Sequence, residues 1–144
     1  IKDYVLFAGQ VQNVENWLRK GDLLLSTSEI ESFGMSIAEA MATGLPVVAY
    51  EVGGVPEVIG DSRYGRLVPK GDICGAAKAI SEILCNSCLA RNLGLNARRR
   101  IEEQFRWDLI CSKYETLYEE VLDAPPSHPI PGCEKVIQSI KSVE

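Results

Sequence analysis

Short apolar runs alternate with helix-length stretches that stop on glycine, and this rhythm restricts the chain more than any other feature. Residues 4–8 (Tyr4, Val5, Leu6, Phe7, Ala8) read as a buried strand, and residues 14–20 as a short helix ended by Gly21. Residues 22–26 read as a second strand, residues 35–43 as a helix stopped by Gly44, and residues 46–50 as a third strand. Proline is acceptable at the first position of that strand, where no ladder donor is required. The turn Gly53-Gly54 leads into a helical turn at 56–59, and residues 66–68 form a short fourth strand behind Gly65. Strands with apolar residues on both faces, separated by helices, predict a parallel sheet with helices on each side.

The second half is helical. Asp72 can cap a helix to about Cys85, with Ile73, Ala76, Ala77, Ile80, Ile83 and Leu84 at helical spacing. Further helices are expected at 89–104 and 107–122. The last carries Ile110, Tyr114, Leu117, Tyr118 and Val121 on one face, which should pack on the body of the domain. Ala124, Pro125 and Pro126 break it. We therefore expect one domain over residues 1–123 and a Pro-containing tail or linker over 124–144, with a weak helix at 134–141.

At 144 residues, 46% apolar and 24% charged, the chain has the make-up of a globular domain and not of a disordered one. Its net charge of −5 argues against nucleic-acid or anionic-membrane binding. No apolar run approaches the ~20 residues that span a bilayer, and no signal-peptide pattern opens the chain. The chain starts at Ile1 and enters a strand-like run almost at once, so we expect a piece of a longer protein. Five cysteines include the pair Cys85 and Cys88, but the single histidine, His128, gives no zinc-ligand set with them. Ordinary reduced thiols and a cytoplasmic setting are the simpler reading.

The segment from Ser28 to Ala42 carries the chemistry. It follows the C-terminal end of a strand and opens a helix, the place where open parallel sheets bind ligands. Gly34 allows close backbone approach, and the amides of Met35, Ser36 and Ile37 would face a ligand at a helix N-terminus suited to phosphate. Glu39, among Ile37, Ala38, Ala40, Met41 and Ala42, needs donors, and a ribose diol offers two. Its side chain should tilt back toward the N-terminus. Glu31, in the turn, could reach the group beyond the phosphates. A competing reading treats Ser36-x-x-Glu39 and Ser28-x-x-Glu31 as capping boxes.

Glu31 and Glu39, with seven residues between them and Phe33-Gly34 inside, resemble the paired-glutamate motif of family 4 (group 1) glycosyltransferases. Residues 22–26, 39–48, 53–57 and 64–68, with Phe105-Arg106-Trp107, are similar to that family in its own order. The resemblance covers roughly residues 4–122 and disfavours mere capping. It implies the C-terminal, Rossmann-like part of a GT-B enzyme, which would move a sugar from a nucleoside diphosphate of UDP or GDP type with retention, without metal or cofactor. By motif position Glu39 would bind the ribose. Glu31, at the catalytic centre, would bind the donor-sugar hydroxyls, and neither glutamate is assigned as a nucleophile. The backbone at Phe33, Gly34, Met35 and Ser36 would cradle sugar and phosphates, and Gly53 and Gly54 would shape a neighbouring loop.

The family draws further charge stabilisation from an Arg and a Lys earlier in the same domain. Arg19 and Lys20 lie too close to the motif to be that pair. The chain alone is thus expected to bind donor weakly and not to catalyse hexosyl transfer. An N-terminal domain in cis would supply the acceptor site and any peripheral membrane contact. One alternative is a non-catalytic nucleotide-sugar-binding module or remnant. Another is a nucleic-acid binder using Arg98, Arg99 and Arg100 with Arg91 and Arg106, which the acidic balance disfavours.

Overall fold

The computed structural model describes residues 2–123. The tail at 124–144, with the helix expected at 134–141, Cys133 and His128, lies outside the described residues. The chain divides into two compact units, residues 1–104 and a second that begins at Phe105.

The first unit is built on three parallel strands in the order β1-β2-β3: β1 Leu24–Ser26, β2 Val47–Tyr50 and β3 Arg66–Val68. Leu24 pairs with Val47, and Val48 with Arg66. The central strand β2 is buried at all four residues. Successive side chains of a strand point to opposite faces, and here each face has its own core. Val47 and Ala49 join Ile37, Ala40 and Met41 of α2 (Met35–Thr43) and Val55, Val58 and Ile59 of α3 (Val55–Ile59). Val48 and Tyr50 join Ala76, Ala79 and Ile83 of α4 (Ile73–Leu84). The long helix α5 (Ser87–Gln104) contributes Ala97 to the first cluster and Leu93 to the second. The expected α/β class, a partial parallel sheet flanked by helices, is what the chain adopts.

Local sequence sets the element ends. Helix α2 is bounded by Gly34 (φ 95°) and Gly44 (φ 82°), both in the left-handed region that a side chain would strain. Its Ile37 and Met41 are fully buried, each worth about 1.5–3 kcal/mol of apolar burial. Helix α4 starts where expected, because Asp72 Oδ1 accepts from the Gly75 amide at 2.8 Å. Helix α5 lies close to the end of α2: a Cβ on Gly94 would stand 2.0 Å from the Gly44 carbonyl oxygen. Ahead of the sheet, the short helix α1 (Val14–Leu18) packs its Leu18 against the α2 side.

One expectation is corrected. Residues 4–8 are not a strand: after a 3-10 turn at Lys2–Tyr4 the chain is irregular, with Tyr4 and Phe7 each 91% exposed. A strand needs partners for its backbone N–H and C=O groups, and among the described residues β1 pairs only with β2. The sheet edge therefore lies at β1. In the second unit, α6 (Trp107–Asp123) has no buried residue, and its Tyr114, Leu117, Tyr118 and Val121 are exposed. An amphipathic stripe says which side of a helix is apolar, not what covers it. No single helix among the described residues is long and apolar enough to cross a membrane.

Candidate functional site

The carboxyl ends of the three strands lie side by side, and the loops that leave β1 and β2 meet there. Gly54 N–H donates to the Glu31 carbonyl at 3.1 Å, so the turn after β2 is bonded to the turn after β1. The approach leaves no room for side chains. A Cβ on Gly53 would sit 1.8 Å from the Glu31 carbonyl oxygen, and one on Gly54 2.2 Å from that of Ser32. Gly53 also has φ 50°. The two glycines expected to shape a neighbouring loop thus touch the Glu31 turn directly. An exposed ion pair, Lys70 Nζ to Glu29 Oε2 at 3.3 Å, ties the same loop to the one after β3. At such exposure it adds at most about 1 kcal/mol.

Glu31 is partly buried, and its Oε1 accepts the Gly34 amide at 3.1 Å. Among the described residues its Oε2 accepts no hydrogen bond. The carboxylate therefore fixes the turn with one oxygen and leaves the other unbonded among the described residues. Gly34 is buried as the N-cap of α2, with no side-chain cap, and the first helical bond runs from Ala38 N–H to its carbonyl. The amides of Met35, Ser36 and Ile37 hence have no partner four residues back, the arrangement that receives an anion. Ser36 lies inside the helix and not at the N-cap, which rules out the Ser36-x-x-Glu39 capping box. Ser28-x-x-Glu31 fails too, since no helix starts at Ser28 and the Glu31 carboxylate reaches forward to Gly34.

Glu39 lies in the second turn of α2, exposed to solvent. It lines a cleft of about 300 Å³ with Val14, Glu15, Arg19, Ala42 and Thr43. The apolar neighbours named from the sequence divide around it: Ile37, Ala40 and Met41 turn into the core, while Glu39 stays in water. Glu31 thus precedes the helix that carries Glu39, and that cleft is lined by Glu39 and not by Glu31. Ile30, Phe33 and Met35 are exposed around the turn, at 90%, 39% and 61%. Apolar side chains left open beside a polar backbone cradle suit a ligand with both a hydroxylated and a flat face.

The basic run is consumed internally. Arg98 pairs with Glu102 and Arg99 with Glu103, each one helical turn on, and Arg106 pairs with Asp108. Arg100 reaches back 42 residues, its Nε donating to the Val58 carbonyl at 2.8 Å. Nothing in the sequence signals that reach. Cys74, Cys85 and Cys88 are exposed free thiols, and Cys111 is free and partly covered. Among the described residues no cluster of three His, Cys, Asp or Glu side chains could hold a metal ion.

A family model described as "Glycosyl transferases group 1" matches residues 1–86. The chain belongs to the group 1 glycosyl transferases. It is 46% identical over 122 residues to the N-acetyl-alpha-D-glucosaminyl L-malate synthase of Bacillus anthracis, covering 85% of this chain and 32% of that protein. It is 33% identical over 126 residues to the D-inositol 3-phosphate glycosyltransferase of Streptomyces avermitilis, covering 86% of this chain and 27% of the relative. The chain thus spans about a third or less of the length of these curated group 1 relatives. Its backbone superposes on sucrose-phosphate synthase of Thermosynechococcus elongatus with a TM-score of 0.78 at 34% identity, over 85% of this chain and 31% of that one. It also superposes on Anabaena HepE in complex with UDP, with a TM-score of 0.77 at 28% identity over 82% of this chain and 33% of that one.

Proposed function

We propose that this chain is the donor-binding part of a retaining hexosyltransferase that takes a nucleoside-diphosphate sugar, UDP-linked in the first instance, as donor. The observation that carries the reading is the Glu31 turn, bonded to Gly54 and opening directly onto the uncapped start of α2. In this reading the α2 amides from Met35 to Ile37 hold the diphosphate, and the backbone of Phe33 and Gly34 lies along the sugar. Glu39 binds the ribose diol from its exposed position on the same helix. The free oxygen of Glu31 accepts a donor-sugar hydroxyl. Solved relatives support the nucleotide: HepE is recorded with UDP and with UDP-glucose.

The bond that breaks joins the anomeric carbon to the leaving diphosphate oxygen, and the acceptor oxygen bonds to that carbon on the same face. The acceptor proton passes to the departing phosphate oxygen. Charge grows on the diphosphate, and a helix N-terminus pre-oriented toward it stabilises that charge without reorganising. No metal or cofactor enters the reaction in this reading. The acceptor, and the further cationic groups the leaving group needs, belong to a longer protein with an N-terminal domain in cis. We place the reaction in the cytoplasm, consistent with four unpaired cysteines among the described residues.

The test uses the full-length protein with UDP-N-acetylglucosamine and L-malate first, because the relative at 46% identity is named for that chemistry. Further UDP- and GDP-sugars follow. The expected result is nucleotide release that EDTA leaves unchanged, and an α-linked product from an α-linked donor. Glu39→Ala should weaken UDP binding by roughly tenfold or more, as expected for a lost charge-assisted pair of hydrogen bonds. An inverted product would overturn the retaining mechanism. Tight nucleotide-sugar binding by the full-length protein, with no transfer to any acceptor, would instead favour the non-catalytic module.

A further inference from the structure

Arg100 stands at the far end of the segment that holds Glu31. Its Nε donates to the Val58 carbonyl at 2.8 Å and its Nη2 to the Glu57 carbonyl at 2.7 Å, so one guanidinium donates to two carbonyls of α3. A planar fork matches this arrangement, and an ammonium does not. The guanidinium also lies over the Tyr64 ring, 5.1 Å from its centroid. Gly60, with φ 84°, closes the fourth side: a Cβ there would meet the guanidinium carbon at 2.7 Å. At its other end α3 begins from Gly54, whose amide donates to the Glu31 carbonyl. The Arg100 contacts at Glu57 and Val58 lie three and four residues beyond Gly54, on a five-residue helix with three buried residues. A helix that short and that packed moves as one piece.

We propose that Arg100 is a positioning residue for Glu31, acting through α3 and the Gly53-Gly54 turn. The tolerance at that turn is small, since no atom fits between Gly54 and the Ser32 carbonyl. A tilt of α3 on losing its clamp must therefore carry the Glu31 backbone with it. Arg98 and Arg99, two positions and one position earlier on α5, make the ion pairs above along their own helix and have no such route to the site.

This rests on the reading of Glu31 as the donor-sugar ligand, and the test separates the two. In the full-length protein, calorimetry measures UDP and UDP-N-acetylglucosamine affinities for wild type, Glu31→Ala, Arg100→Met, Arg100→Lys and the double variant Glu31→Ala with Arg100→Met. Thermal melts show that each is folded at the working temperature, and Arg100→Lys covers the case in which Arg100→Met is not. Arg100→Met should weaken the sugar nucleotide by roughly tenfold, leave UDP within twofold, and add nothing in the Glu31→Ala background. Arg100→Lys should weaken the sugar nucleotide in the same direction by less. Equal losses for UDP and the sugar nucleotide, or full additivity with Glu31→Ala, would overturn the inference and leave a purely structural clamp. A Glu31→Ala variant that binds both ligands like wild type would overturn the reading of Glu31 itself, and this inference with it.

Discussion

Glu31 is held by its main chain as well as by its carboxylate, which closes a turn and does not act as a helix cap. Its carbonyl takes the Gly54 amide while its Oε1 takes the Gly34 amide. Both contacts need glycine, one for close approach and one for a left-handed N-cap. The residue types and their spacing were readable in the sequence. The partnership of residue 31 with residue 54 was not, because it depends on two loops meeting at the sheet end. Arg100 escaped for the same reason: in sequence it is the third of three arginines, and only the fold separates it from Arg98 and Arg99. Nearby, Asp61 provides a measurable electrostatic prediction. Bidentate hydrogen bonding from the Arg63 side chain, with the Arg63 amide, lowers its carboxyl from 3.8 to about 2. A carboxyl lowered in the folded state stabilises it above the unfolded value, and that contribution fades as pH falls from about 4 through about 2. Carbon-detected NMR titration should place the Asp61 midpoint near 2 in wild type and move it up toward 3.8 in Arg63→Ala. A wild-type midpoint near 3.8 would contradict the pairing.

At the scale of elements, apolar period and glycine stops located α2 at its observed bounds and the later helices within two residues. Helix α2 was legible because both ends are glycines with positive φ and its core face recurs at Ile37, Ala40 and Met41. The apolar run at residues 4–8 misled, since an unbroken apolar stretch specifies burial or pairing without naming a partner. Close packing of α5 on the end of α2 was also invisible, although it has a clear signature in energy. Glycine inside a helix costs about 0.5–1 kcal/mol relative to alanine, so propensity alone predicts that Gly94→Ala stabilises. Contact predicts the opposite, because the new Cβ would lie 2.0 Å from the Gly44 carbonyl oxygen. Overpacking of this kind costs about 1–3 kcal/mol, and urea unfolding of Gly94→Ala should show a net loss. Unchanged or raised stability would mean that α2 and α5 do not approach as closely as described.

At the scale of the whole molecule, the chain supplies a sheet end, an uncapped helix and a glycine turn, while its curated relatives are about three times longer. Family membership was legible because the motifs follow one another in order along most of the chain. Acceptor, donor base and sugar were not, since no motif in this chain singles out one of them. In the proposed function, the start of α2 and the Glu31 turn form the donor site. Titration of UDP and GDP, up to millimolar concentration, into the isotope-labelled full-length protein tests it most directly, read at the backbone amides. Shifts should concentrate at Gly34, Met35, Ser36 and Ile37, with smaller ones at Gly53 and Gly54. Saturable shifts confined to α4, α5 or α6, with the Gly34–Ile37 amides unmoved, would contradict it.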